Sequence, residues 1–252
     1  MGFFGPSKSD LAFDEVVRSC AKTPTRLEAI PLRADDHKSV TRSRFGGVPY
    51  AEMGDTWPMH KNRPYDYVAQ LNLRESAEPP TTAFELITVF VCWHAIEHGE
   101  AIEIGGVVGS YSNPSQSKAI VMERPQPISD DDFRVSPCSI KTSTVLTYPS
   151  PVGSFLRVPA IALLNSDPTI FGTKYMKSLK RIGYQPHDEH TQIGGYPTWV
   201  HDNTLDDDEL IFIVQFAYEP EANNCLGDAA PVFIAAHRAD PTRFEVDSSQ
   251  SH

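Results

Sequence analysis

Two stretches of the chain share one pattern of apolar and polar positions. In each, a Gly-Gly-x-Pro phrase precedes a tryptophan, Trp57 or Trp199, and then an apolar run that contains a glutamine. Repetition of one supersecondary unit explains this similarity. Paired glycines allow positive φ and proline fixes the next direction, so each phrase predicts a sharp turn, whose amides could alternatively hold an anion. The residues of this structural motif are Gly46, Gly47, Pro49, Trp57, Gln70, Gly194, Gly195, Pro197 and Gln215.

Helical spacing occurs at two places. Apolar residues after the capping candidates Ser9 and Asp10 recur every three or four positions, which predicts an N-terminal amphipathic helix. Pro168 opens a second predicted helix, Thr169–Arg181, whose last turns are rich in lysine and arginine.

The other apolar segments are short and predict strands. They are 26–32, 67–73, 84–93, 102–111, 119–123, 139–148, 210–218, 232–236 and 243–246. Because strands outnumber helices and many connections are short, we expect an α+β fold with mainly antiparallel sheets and a few helices. The repeat divides this fold into two similar β-rich halves, about 26–123 and 139–246, within one domain of 252 residues. A short mobile tail is expected after Asp247.

Composition excludes several classes of function. The net charge is −11, from 22 basic and 33 acidic residues, so phosphate backbones and anionic membranes repel the chain and a basic protein partner is favoured. No apolar run approaches the length of a membrane span, and the first residues carry no export signal. The cysteines are widely separated and are interpreted as reduced thiols: Cys20, Cys92, Cys138 and Cys225. We therefore predict a soluble, cytoplasmic protein.

Two groups of histidines are candidate metal ligands. His94 and His98 are the first and last residues of an H-x-x-E-H motif, which occurs in zinc proteases. A strand-like run precedes the motif and Gly99 follows it, so there is no room for the helix that metal binding requires. A second group flanks the second Gly-Gly phrase and consists of His187, His190 and His201. These side chains and their acidic neighbours could bind a divalent ion, although a solvated loop is the simpler interpretation. We predict no metal and no cofactor.

The two densest acidic clusters are Asp130–Asp132 and Asp206–Glu209. Neither has the alternating ligands and central glycine of a calcium loop. Each is either a solvated loop or a surface that meets lysines and arginines of a partner. No nucleophile elbow and no phosphate-binding glycine loop is present, so no catalytic residue is assigned.

In combination the motifs resemble those of the YwqG-like family, whose function is unknown. The similar phrases are Arg44–Tyr50, Trp57-Pro58, Val68–Leu73, Gln192–Trp199 and Ile213–Phe216. Cys225–Asp228 resembles the closing phrase, with Leu226 in place of the usual tryptophan and Ala230 in place of a glycine. The resemblance covers most of 40–246 and implies a duplicated α+β fold. Some members neighbour secreted polymorphic toxins, which implies an immunity role by association.

We therefore expect a non-enzymatic immunity protein that neutralises a basic, nuclease-like effector by covering its active cleft. Aromatic anchors would carry the affinity, and carboxylates would set the rate and orientation of encounter. The expected partner-binding residues are Asp130, Asp131, Asp132, Tyr196, Trp199, Asp202, Asp206, Asp207, Asp208 and Glu209. The alternative is a small-ligand-binding or hydrolytic domain with a pocket between the two halves.

Overall fold

The structure is a computed structural model that describes residues 6–33, 39–92, 106–125, 134–149, 168–184, 190–198, 209–224 and 231–247. Its helices are α1 (Lys8–Ser19) and α2 (Pro168–Arg181). Its strands are β1 (Thr25–Pro31), β2 (Arg44–Phe45), β3 (Met59–His60), β4 (Arg63–Pro64), β5 (Asp66–Asn72), β6 (Leu86–Val91), β7 (Gly106–Tyr111), β8 (Cys138–Thr144), β9 (Gln192–Ile193), β10 (Leu210–Phe216), β11 (Val232–His237) and β12 (Phe244–Asp247). A short 3₁₀ helix, Leu73–Glu75, follows β5.

Ten of these strands form one antiparallel sheet in the order β12-β11-β10-β9-β1-β8-β2-β5-β6-β7, and β3 and β4 form a separate hairpin. The two ends of the sheet come together, because a Cβ on Gly106 of β7 would lie 2.8 Å from Val246 Cγ1 of β12. The sheet therefore curls into a nearly closed barrel around a core of strand side chains such as Leu27, Phe45 and Ile234.

The predicted α+β class is wrong, because the fold is mainly β. In an α+β fold the helices cover a face of the sheet. Here the curled sheet buries its own inner face, and the two helices pack on each other in a separate cluster that contains Phe13, Val17, Cys20, Tyr175 and Leu179. The helices are an addition to the barrel and contribute no described residue to its main core.

A buried carboxylate joins the two helices. Asp14 of α1 is 1% exposed and accepts hydrogen bonds from Ser178 Oγ and from Arg181 Nε of α2, the latter at 2.8 Å. The Arg181 guanidinium lowers the pKa of Asp14 below its ordinary value. The start of α1 is fixed by a capping box in which the N-cap is Ser7 rather than Ser9 or Asp10.

The strands around the two Gly-Gly phrases occupy opposite sides of the sheet. Strands β2, β5, β6 and β7 lie on one side and β9, β10, β11 and β12 on the other, while β1 and β8 pair with each other at the centre. β1 precedes the first phrase in the chain but pairs with β9, and β8 precedes the second phrase but pairs with β2. This exchange joins both sets of strands into one sheet. The division into halves at 26–123 and 139–246 stays a prediction.

Candidate functional site

The first Gly-Gly turn is held by a buried glutamine on β5. Gln70 accepts a hydrogen bond from the Tyr50 backbone N–H at 2.9 Å and donates to the Arg42 carbonyl at 2.7 Å. The Gly46 N–H donates to the Val68 carbonyl at 2.8 Å, which ties the turn to the same strand. Gly46 and the residue after it have φ values of +55° and +79°, which glycine adopts at little cost.

The second turn repeats these contacts at equivalent positions. Gln215 of β10 accepts from the Thr198 N–H at 2.9 Å and donates to the His190 carbonyl at 2.8 Å. The Gly194 N–H donates to the Ile213 carbonyl at 2.9 Å. A register shift lies at equivalent places in the two strands, between residues 67 and 69 of β5 and between residues 212 and 214 of β10. Both glutamines thus act as internal braces for a turn.

The second turn is filled by other parts of the chain. A Cβ on Gly195 would lie 2.6 Å from Pro24 Cγ. The Tyr196 N–H donates to Thr147 Oγ1 at 3.1 Å, and Lys22 Nζ lies 4.3 Å from the centroid of the Tyr196 ring. Burial raises the pKa of Tyr196 to about 12. Tyr196 therefore packs against this chain's own residues.

The first turn is open at its second glycine, Gly47, although a Cβ on Gly46 would overlap the Val135 carbonyl oxygen. A Cβ on Gly47 would have Pro137 Cβ, at 3.8 Å, as its nearest neighbour. Val48, which corresponds to Tyr196, is 53% exposed. Pro137 directly precedes β8 as Pro24 directly precedes β1, so the two prolines occupy equivalent positions. Only Pro24 packs closely against the second glycine of its turn.

Two adjoining cavities lie over the first turn, with volumes of about 790 Å³ and 530 Å³. They share Gly47, Val48, Pro49, Val121 and Pro137, so we treat them as one cleft and name it the Gly47 cleft. Its walls are the segments 119–124 and 134–137. Ile120 and Val121 of one wall are 39% and 76% exposed. The cleft therefore presents apolar side chains to solvent at a site of ligand-binding size.

Several polar groups lie among these apolar side chains. Asp66 and Arg124 form an ion pair at 2.9 Å, and Arg134 is exposed on the opposite wall. Arg44 donates from Nη2 to the Val48 carbonyl at 2.8 Å. Arg44 Nε and the Tyr67 hydroxyl are buried, the Arg44 guanidinium lies beside this hydroxyl, and burial raises the pKa of Tyr67.

The aromatic side of the cleft is fixed by Trp57. Its indole N–H donates to the Tyr65 carbonyl at 2.8 Å, and its ring packs edge-on against Phe90 at 5.3 Å between centroids. Trp57 lines the cleft together with Pro49, another residue of the predicted turn motif. The indole therefore forms a fixed wall.

Of the predicted partner-binding residues, only Tyr196 and Glu209 lie in the described ranges, and neither lines the Gly47 cleft. Glu209 is exposed, and its carbonyl accepts from the Arg238 N–H at 2.8 Å. The others lie outside the described residues: Asp130, Asp131, Asp132, Trp199, Asp202, Asp206, Asp207 and Asp208.

The histidine groups are mostly outside the described residues as well, namely His94, His98, His187 and His201. His190 is 5% exposed and supports the second turn through its carbonyl. No group of three or more metal-ligating side chains occurs among the residues that the structure describes. Three cysteines, Cys20, Cys92 and Cys138, are buried thiols, and Cys225 lies outside the described residues.

Both turns lie in a stretch of the chain that matches one protein family. A family model, Domain of unknown function (DUF1963), matches residues 43–245. The chain belongs to this family. The DUF1963 match includes both Gly-Gly turns, both glutamines and both walls of the Gly47 cleft. A comparison with curated proteins finds no match. None of the described helices has the length and apolar character needed to cross a bilayer.

Sequence reasoning missed the cleft because its walls are irregular segments. The segment 119–123 is predicted as a strand, and this prediction is wrong, because its whole backbone is irregular and lies beside the first turn. The available signal was the apolar pair Ile120-Val121 in a stretch without a complete alternating pattern.

Proposed function

We propose that this chain is a non-enzymatic protein-binding protein that holds a segment of its partner in the Gly47 cleft. One observation carries the proposal: the same turn occurs twice, and the copy at Gly195 is filled by the chain itself while the copy at Gly47 is open. An open apolar surface at a rigid turn is the usual form of a binding site for a protein partner.

The lining favours binding over catalysis. The described lining contains no histidine and no cysteine, and of its two carboxylates Asp66 is engaged with Arg124 while Glu123 is exposed. Val48, Ile120 and Val121 instead offer side chains that release water when a partner covers them. Burial of such anchors supplies most of the affinity in protein interfaces.

In its most concrete form, the proposal makes the chain an immunity protein whose partner is a toxic effector. The support is the net charge of −11 and the resemblance to the YwqG-like family, some members of which neighbour secreted toxins. Asp130–Asp132 and Asp206–Glu209 would then accelerate encounter with a basic effector, while the cleft holds the contact.

The proposal is tested by co-expression with the toxin encoded beside the gene, with growth rescue and recovery of the complex as measurements. Val121→Asp should abolish both, because it places a charge among the apolar contacts. Leu146→Asp is the matched control, since Leu146 is 50% exposed and precedes Thr147 at the second turn. Loss of rescue in both variants, or in neither, would contradict docking at the cleft.

The alternative function, a small-ligand-binding or hydrolytic domain, has one observation in its favour. The cavity volumes of about 790 Å³ and 530 Å³ fall in the range of small-molecule sites. Neither cavity is lined by a residue of the second turn, whereas the alternative requires a pocket between the halves. Native mass spectrometry that retains a stoichiometric small molecule on the purified chain would favour this alternative.

A further inference from the structure

We infer that the partner segment in the Gly47 cleft carries a carboxylate among apolar residues, and that Arg134 receives this carboxylate. The inference rests on the proposed protein-binding function and names the chemistry of the segment that the cleft selects.

The charge of the cleft is opposite to the charge of the chain. Among the described lining residues, three arginines, Arg44, Arg124 and Arg134, face two carboxylates, Asp66 and Glu123. The described lining thus has a formal charge of +1 in a chain whose net charge is −11. A basic segment is favoured by the chain as a whole but not by the described lining of this cleft.

Two of the three arginines have no carboxylate partner among the described residues. Arg124 is engaged, because it pairs with Asp66 at 2.9 Å. Arg44 donates only to neutral oxygens, those of Val48 and Gln70, at 2.8 Å and 3.2 Å. Arg134 is exposed on the wall and forms no ion pair within the described ranges. A carboxylate placed beside such a guanidinium forms a charge-assisted hydrogen bond with it.

The floor of the cleft strengthens the same preference. The Arg44 guanidinium lies beside the buried Tyr67 hydroxyl, and its charge adds positive potential beneath the cleft. The Arg134 side chain lies at the surface and is the group that can make direct contact. Arg134 therefore acts as the receiving cation, and Arg44 raises the local potential behind it.

Apolar contact and charge together define the selected segment. Val48 and Val121 favour aliphatic or aromatic side chains, and Arg134 favours an aspartate or glutamate beside them. Repulsion between Arg134 and a lysine or arginine at the same place would disfavour a basic residue there, so the cleft discriminates against that charge as well as selecting its opposite.

The test is selection of random dodecapeptides displayed on phage against the full chain, followed by binding of one enriched peptide measured by fluorescence polarisation. We expect aspartate or glutamate beside apolar residues in the enriched peptides. Asparagine in place of that acid should weaken binding about threefold, the size expected for an ion pair at the surface. Arg134→Glu should instead enrich lysine and arginine, whereas Arg26→Glu, the same change at an exposed arginine of β1 outside the cleft, should select as the wild type does.

The possible outcomes separate the inference from the function. Enriched apolar peptides without acidic residues, or an unchanged selection by Arg134→Glu, would overturn the inference while the Gly47 cleft remains a binding site. If the wild-type chain enriches peptides no more strongly than Val121→Asp does, the proposed function and the inference are both overturned.

Discussion

The two Gly-Gly turns follow the same local rules in different surroundings. Each has two glycines at positive φ, a proline and a buried glutamine that braces the backbone on both sides. Around Gly195 the chain adds Pro24 and Thr147, whereas around Gly47 it leaves a cleft. The difference shows that the turn is structural in both places and that function, in our proposal, comes from what is left uncovered.

The helices explain why only one turn is covered. Cys20, which directly follows α1, and Tyr175 of α2 lie close enough to Tyr196 to interact with it electrostatically. The Tyr175 hydroxyl also donates to the Pro149 carbonyl at 2.8 Å, which ties α2 to the segment that follows Thr147. The described residues provide no equivalent pair of helices at the first turn, so Val48 remains at the surface.

The largest effect should come from a methyl group added at the crowded turn. Gly195→Ala should lower the free energy of unfolding by about 4 kcal/mol, from left-handed backbone strain and overlap with Pro24 together. Gly47→Ala has the same strain but open space, and should cost about 1 kcal/mol. Urea unfolding of both variants measures the contrast, and equal losses would show that the turns do not differ in packing.

Removal of the glutamine braces should affect both turns alike. Gln70→Leu and Gln215→Leu each leave a buried backbone N–H and carbonyl without a partner, so each should cost about 3 kcal/mol in urea unfolding. The two values should agree within about 1 kcal/mol, because the main contacts are equivalent. A large effect of one variant alone would mean that only one glutamine braces its turn.

This common role was only partly visible in the sequence. The repeat identified Gly46 and Gly194 as equivalent, and likewise Gln70 and Gln215, because the spacing of residues along the chain can be read directly from the sequence. The hydrogen bonds of the glutamines were not predictable, since they depend on carbonyls such as that of Arg42, which lies 28 positions before Gln70. Likewise, apolar periodicity located α1, and Pro168 with the basic last turns located α2, but neither signal showed that the helices pack outside the barrel core.

Loss of the interhelical ion pair should disturb the covered turn alone. Arg181→Ala should cost about 2 kcal/mol, less than for a fully buried pair because the Arg181 side chain is partly exposed. Hydrogen exchange should increase at Tyr196 and not at Val48. Increased exchange at both residues would contradict a cap that is specific to the second turn.

The same pair predicts an acid dependence. The folded-state pKa of Asp14 is lowered from 3.8, so its contribution to stability is present above that value and is lost as the pH falls through the lower folded-state pKa. Thermal unfolding of the wild type should therefore lose more stability below pH 3.8 than unfolding of Asp14→Asn does. Parallel pH curves for the two proteins would contradict this assignment.

The smallest effect on stability should come from the open turn. Val48→Asp should change the free energy of unfolding by less than about 0.5 kcal/mol, because the side chain is already half in solvent. The same variant should weaken partner binding at least about tenfold, measured by calorimetry on the purified complex. Unchanged affinity would remove Val48 from the binding surface.

The most direct test is an NMR titration of the full chain with a peptide selected by display. We predict that amide shifts will concentrate at Gly47, Val48 and Val121 and will be small at Gly195 and Tyr196. Shifts centred on Gly195 and Tyr196, or spread evenly over both turns, would contradict the claim that the first turn is the binding site.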